Sequence, residues 1–182
     1  MVRPAPRFRG FTLIELMVVV ALISVILVLA IPSFTGMLAR KRLEGVALEL
    51  GTDLQYARSE AVQQNAQVQV IVRSNCYAIY VVGSTPASDC VTLGTGARQL
   101  KLVQITTGPT LAFAPAIVGN LFLEFEPVRG MAADATGTSM AGNVLVASSG
   151  WQLQVWVTRY GRVKTCSPNT TVTGFSNDCS II

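Results

Sequence analysis

The sequence predicts an α+β fold in which one long N-terminal α-helix packs on antiparallel β-sheet, and three observations carry that expectation. A nearly unbroken apolar run covers residues 11–31, with Glu15 as its one charge. A second stretch repeats apolar residues at helical spacing, namely Leu43, Val46, Leu50, Leu54, Ala57 and Ala61. Such a stripe marks an amphipathic helix able to cover a sheet. From Gln67 onward, β-branched and aromatic runs alternate with turns rich in Gly and Pro, the pattern of many short strands, here expected as two small sheets in a sandwich.

Taken in order, residues 1–10 form a short basic leader with Arg3, Arg7 and Arg9. The apolar run then covers 21 residues. At about 1.5 Å each they reach roughly 30 Å, the thickness of one hydrocarbon core. Pro32 falls inside the helical pattern, where its missing N–H predicts a kink or a loosened preceding turn. The amphipathic stripe runs on to Asn65, a residue suited to ending a helix. Candidate strands are residues 67–73, 77–82, 100–106, 121–125, 143–147, 152–158 and 161–165. Turn signals at 83–86, Gly108-Pro109, 127–130, 137–142 and Gly150 separate them.

Charge and composition exclude several function classes. The chain carries 14 Lys and Arg against 10 Asp and Glu, a net of +4. Three of the fourteen lie in the leader, which leaves eleven against ten, or +1, over residues 11–182. The overall basicity is therefore no argument for nucleic acid. No histidine is present, which removes Ser-His-Asp triads, Cys-His pairs and histidine metal ligands. The acidic residues after residue 35 make no paired-carboxylate motif, and Gly94-Thr95-Gly96-Ala97 lacks the lysine and following helix of a phosphate loop. No enzyme activity, cofactor or metal is expected.

Four cysteines, Cys76, Cys90, Cys166 and Cys179, permit three connectivities. The local one, Cys76 with Cys90 and Cys166 with Cys179, is expected in an oxidising compartment. Each such loop is worth roughly 3 kcal/mol in the chain-entropy account. A zinc site is disfavoured, since there is no CxxC spacing.

Glu15 singles out the N-terminal run. An ionised side chain in hydrocarbon costs several kcal/mol, so an acid kept there marks a function. A chain cut after Gly10 would present a new α-amino group at Phe11, one helical turn from Glu15. That amine could neutralise the Glu15 of a neighbouring subunit packed alongside. The leader arginines hold the N-terminus in the cytoplasm under the positive-inside rule, while Arg40, Lys41 and Arg42 lie beyond Pro32 on the other side.

Gly10-Phe11-Thr12-Leu13-Ile14-Glu15-Leu16, with the basic leader, the apolar helix and Pro32, resembles the class III signal of the type IV pilin and pseudopilin superfamily. The resemblance covers the N-terminal segment up to residue 35. It implies cleavage after Gly10 by a prepilin peptidase and N-methylation of Phe11. It further implies a single span of the inner membrane with the C-terminal domain in the periplasm, then assembly with other pilin and minor pilin subunits into a pilus, with Glu15 and Pro32 acting in assembly. The implied division is a leader at 1–10, a membrane and filament-core helix at 11–33, its amphipathic continuation at 34–65 and a β-rich domain at 66–182. Leu54-Gln55-Tyr56-Ala57-Arg58-Ser59-Glu60-Ala61-Val62 and Phe125-Glu126-Pro127-Val128-Arg129-Gly130 resemble the GspH/FimT branch of minor pilins. This implies the type IV pilin fold and a structural subunit at a pilus tip that primes assembly. A pseudopilin of a type II secretion system is the alternative.

The C-terminal stretch Arg159-Tyr160-Gly161-Arg162-Val163-Lys164-Thr165-Cys166 carries the remaining site. On a strand, Tyr160, Arg162 and Lys164 share one face, with the two cations about 7 Å apart. With Arg159, the stapled polar loop and Phe175, they form a candidate surface for double-stranded DNA. The stretch resembles the Gly-Arg-x-Arg segment of FimT-type pilins, which implies DNA binding in natural transformation. Lys164 stands where the second arginine would, keeping the charge and losing the bidentate fork. The plainer alternative is a solvated edge strand whose cations discourage pairing between sheets, and GspH and FimU subunits with no DNA role carry a similar stretch.

Overall fold

The computed structural model describes residues 10–85, 87–114, 122–133, 142–168 and 172–179, with the side chains of residues 29–33, 114 and 122 outside that description. Its chain divides into two compact units, Met1–Leu38 and Ala39–Ile182. One helix, α1 (Leu13–Gln64), begins in the first and ends in the second.

Thr12 caps α1. The Glu15 backbone N–H donates to Thr12 Oγ1 at 3.3 Å, and Glu15 stands at the third helical position, where a carboxylate suits the positive end of the helix dipole. In the first unit every described side chain of α1 is exposed, from Leu13 at 76% to Val28 at 69%. Among the described residues, no helix is long and apolar enough to cross a membrane. The end of the expected span, with Pro32, has side chains outside the description. The helical backbone itself continues through position 32.

In the second unit, α1 buries a clean stripe. Leu43, Ala47, Leu50, Leu54, Ala57 and Ala61 are all 0–1% exposed, at alternating steps of four and three. Ala47 takes the place expected for Val46, which is half-buried. The helix ends as expected at Asn65, whose φ of 48° is the left-handed conformation of a C-terminal cap. The Ala66 N–H donates to the Ala61 carbonyl at 3.2 Å and the Asn65 N–H to the Val62 carbonyl at 3.4 Å. This pair of bonds satisfies orphan carbonyls of the last turn.

The described strands are β1 (Val68–Arg73), β2 (Cys76–Val81), β3 (Arg98–Gln104), β4 (Thr110–Ala114), β5 (Phe122–Phe125), β6 (Ala132–Ala133), β7 (Gly142–Ser148), β8 (Trp151–Val157) and β9 (Val163–Cys166). They form two antiparallel sheets, ordered β3-β2-β1-β5-β6 and β4-β7-β8-β9. The β7–β8 hairpin closes on Ser149 and Gly150, both at positive φ, as a two-residue turn matched to strand twist requires. Two strands were not expected. β4 is rich in Ala, a weak strand former, and β6 is two residues long. The last strand also starts later than the expected 161, at Val163, so Tyr160 and Arg162 lie before it rather than on it.

One core joins the helix stripe to both sheets. Val68, Val70, Tyr77, Ile79 and Phe125 contribute from the first sheet, and Leu111, Val146, Leu153 and Val155 from the second. The opposite face of the first sheet is buried too. There Ile71, Ala78 and Tyr80 pack with Ala87, Cys76 and Cys90, under a loop held by the Cys76–Cys90 disulfide. This double burial covers the first five residues of β1 and of β2 on both faces, Gln69 of β1 included. Three polar groups on this face bond one another: the Tyr80 hydroxyl donates to Gln69 at 2.6 Å, and Gln69 Nε2 donates to Glu124 at 2.6 Å.

A second polar lock ties α1 to the first sheet. Asp53, 6% exposed, accepts from the Tyr77 hydroxyl at 2.7 Å and from Lys101 Nζ at 2.9 Å. Lys101 also donates to Glu49 at 3.1 Å. Burial first, and then the bond to Asp53, push the Tyr77 hydroxyl far above the usual phenol range. The hydrogen bond to Asp53 raises Lys101.

Candidate functional site

Three segments that are remote in sequence meet at Arg58. This residue stands near the end of α1 on the flank of the buried stripe, and it is half-buried. Its Nε donates to the Gly130 carbonyl at 3.0 Å. Gly130 closes the β5–β6 turn, where the Glu126 N–H donates to the Met131 carbonyl and the Gly130 N–H to the Glu126 carbonyl, both at 3.0 Å. The β8–β9 turn arrives from the other sheet. It is fixed by the Thr158 N–H on the Arg162 carbonyl at 2.9 Å, the Gly161 N–H on the Thr158 carbonyl at 2.8 Å and the Arg162 N–H on Thr158 Oγ1 at 3.1 Å. The Ala132 N–H donates to the Arg159 carbonyl at 2.9 Å, which stitches the two turns together.

Gly161 makes this approach possible. It is buried with φ of +73°, and a Cβ there would lie 2.5 Å from the Gly130 oxygen and 2.7 Å from Arg58 Nε. Only a residue without a side chain can take that conformation at that distance.

Between the segments runs an open groove of about 770 Å³. One wall is α1, through Gln55, Ser59, Val62 and Gln63, and the other is Val128, Arg129, Arg162 and Val163, with Arg58 at the base. Val62 and Val128 are 48% and 78% exposed. Arg129 and Arg162 are exposed, and among the described residues neither takes part in an ion pair.

The residues expected for DNA binding divide. Arg162 lines the groove. Arg159 and Tyr160 occupy the exposed tip of the β8–β9 turn, with Tyr160 at 64%. Lys164 pairs in register with Trp156, and the neighbouring pairs Val163–Val157 and Thr165–Val155 face the other way, as strand alternation requires. The expected common face of Tyr160, Arg162 and Lys164 therefore does not form, because a turn breaks the alternation.

The stapled loop stands elsewhere. Cys166 and Cys179 are joined, and the Arg40 guanidinium donates to Thr173 while resting 5.5 Å from the Trp151 ring centre. Arg40 also pairs with Glu44 at 2.9 Å. The hydrogen bond from Lys41, the largest cause, lowers the Glu44 carboxyl. Arg40 and Arg58 are about 27 Å apart along the helix, so the two contacts hold opposite ends of its packed half. Phe175 packs against the core rather than standing free for stacking. Sequence reasoning missed Arg58 and Arg129 as site residues, although both lie inside motifs that had drawn notice. Among the described residues, Cys76, Asp89 and Cys90 cluster closely enough for a metal ion, but the two sulfurs are bonded to each other.

Comparison with known proteins bears on both units. Residues 6–31 match the prokaryotic N-terminal methylation motif, and residues 46–161 match the model of type II transport protein GspH. A fimbrial protein of Dichelobacter nodosus is 32% identical over 133 residues, covering 62% of this chain and 83% of its own. The type IV major fimbrial protein FimA of the same organism matches to the same extent. The fold is similar to that of the type IV minor pilin FimU of Pseudomonas aeruginosa, with 20% identity, coverage of 69% of this chain and 88% of that one, and a TM-score of 0.53. It is also similar to the minor pseudopilin EpsH from the type 2 secretion system of Vibrio cholerae, with 12% identity, coverage of 70% and 98%, and a TM-score of 0.50.

Proposed function

The chain belongs to the GspH family, and from that premise we propose that it is built into a type IV pilus, seated at the tip, where it primes growth. Its general kind, a structural subunit of the minor pilin and pseudopilin class with the type IV pilin fold, follows from the family and the shared architecture. Residues 11–33 hold it in the inner membrane, with the C-terminal domain in the periplasm, until it joins other pilin subunits.

One observation carries the reading. In the first unit, α1 is largely apolar apart from Glu15, and every described side chain of it is exposed. Such a helix is stable only when lipid or other helices cover it. The methylation motif at 6–31 supports cleavage between Gly10 and Phe11 by a prepilin peptidase and N-methylation of Phe11. The resulting amine lies one turn from Glu15, within reach of the carboxylate of an adjacent copy of the helix.

Glu15→Leu tests the pairing. The variant keeps the apolar run, so it is expected to enter the membrane and to lose at least about tenfold in filament incorporation, because a partner of a buried charge pair is gone. Immunoblots of sheared filaments against membranes read the effect. Normal incorporation would remove the amine–carboxylate pairing, and a native mass spectrum starting at Met1 would remove the processing itself.

A second reading, uptake of double-stranded DNA, draws support from the exposed Arg159, Tyr160, Arg162 and Lys164. Two or three phosphate contacts make such binding weak and salt-sensitive. A low-salt gel shift that is unchanged by Arg162→Gln and Lys164→Gln would remove it. Service in a type II secretion system is the third reading, selected by a deletion strain that stops secreting proteins while keeping its pili.

A further inference from the structure

We infer that the groove between the end of α1 and the β5–β6 and β8–β9 turns docks a segment of a neighbouring subunit that carries carboxylates beside aliphatic side chains. The inference rests on the subunit role, not on tip position or on the kind of filament. Failure of the tip reading shows in pilus number, whereas failure of this one shows in binding alone.

The lining specifies the occupant. Arg129 and Arg162 are exposed and, among the described residues, lack an ion-pair partner. A guanidinium presents a fork of donors that fits a carboxylate with two parallel bonds. Val62 on the helix wall and Val128 on the wall of the arginines are both large exposed apolar side chains. The helix wall adds Gln55 and Gln63, whose amides can bond a peptide backbone. Arginine at an apolar patch with amides nearby is the make-up of a protein–protein hot spot.

Duplex DNA fits this groove less well. Phosphates satisfy the arginines but offer nothing to the two valines. A groove of about 770 Å³ has the size of a cleft that encloses a few side chains, and a rigid duplex would meet only its rim. The walls are also held in place before binding. Arg58 bonds the Gly130 carbonyl, and the Ala132 N–H bonds the Arg159 carbonyl, so the arginines are presented from fixed turns and little ordering is needed on docking.

Full-length protein in detergent, tested by fluorescence anisotropy, decides the matter. The probes are a labelled peptide of alternating glutamate and valine, its glutamine–valine counterpart, and a labelled DNA duplex. The glutamate peptide is expected to bind, the glutamine peptide at least about tenfold more weakly, and Arg129→Gln or Arg162→Gln to cost about tenfold each, in keeping with one charge-assisted contact. Arg159→Gln and Lys164→Gln, outside the groove, are expected to leave peptide binding unchanged. The double reversal Arg129→Glu with Arg162→Glu is expected to prefer a lysine–valine peptide. Equal binding of the glutamate and glutamine peptides overturns the inference, as does peptide binding indifferent to both groove arginines. Duplex binding that requires Arg129 and Arg162 also overturns it, in favour of nucleic acid. Circular dichroism of each variant confirms that its fold is retained.

Discussion

Gly161→Ala is expected to lower the unfolding free energy by about 3 kcal/mol. Forcing a Cβ into the left-handed region costs about 1–2 kcal/mol, and overpacking a site that cannot relax costs about 1–3 more. Relaxation is blocked here because the nearest atom, 2.5 Å from the new methyl, is the backbone oxygen of Gly130, and the next is Arg58 Nε at 2.7 Å. A flexible side chain could swing away, but a carbonyl already bonded to Arg58 moves only with its turn. At about 2–4 °C per kcal/mol for a domain of this size, thermal melts should fall by roughly 6–12 °C. An unchanged melting temperature would mean that the two turns are not pressed together.

Asp53→Ala is the second large effect, expected at about 2–3 kcal/mol. The substitution leaves the fully buried Tyr77 hydroxyl without its acceptor, worth about 1–3 kcal/mol. The Lys101 contact adds less, because that side chain is 35% exposed and solvent screens it. Tyr77→Phe in the same background should recover part of the loss by removing the orphaned donor. The pH dependence has a definite sign. Lys101 is raised by its bond to Asp53, so its contribution is present in full below the unfolded lysine value of about 10.4 and is lost as pH rises through the higher folded value. In urea titrations, the gap between wild type and Asp53→Ala should hold steady from about pH 6 to 9 and narrow above about pH 10. A gap that widens with alkalinity would overturn the assignment of Lys101 to Asp53.

Much of the architecture could be read from spacing alone, and its gaps have physical causes. The stripe from Leu43 to Ala61 and the terminator Asn65 follow from helical periodicity and cap chemistry, which are local. The choice of Ala47 over Val46 is not local, since both suit a helix and packing against the sheets decides which of the two positions is fully buried. Strands β4 and β6 escaped notice because Thr110-Leu-Ala-Phe-Ala and Ala132-Ala133 have weak intrinsic preference and are held by pairing with β7 and β5. The buried second face of the first sheet was hidden for a related reason: a run such as Cys76–Val81 says that both faces are covered, not by what. Arg162 was named from its motif. Arg58 and Arg129 were not named, because their role arises where a helix end and two turns from different sheets converge. The assumption that residues 160–164 form one strand hid the turn that parts Tyr160 and Arg162 from Lys164.

The two guanidinium anchors on α1 have a mechanical consequence. Arg40 grips Thr173 and Trp151 at one end of the packed half of the helix, and Arg58 grips Gly130 at the other. A pull applied along the helix axis therefore strains both rivets and the stripe between them together, in shear. Unzipping from one end, which breaks contacts singly under far smaller loads, is blocked at either extremity.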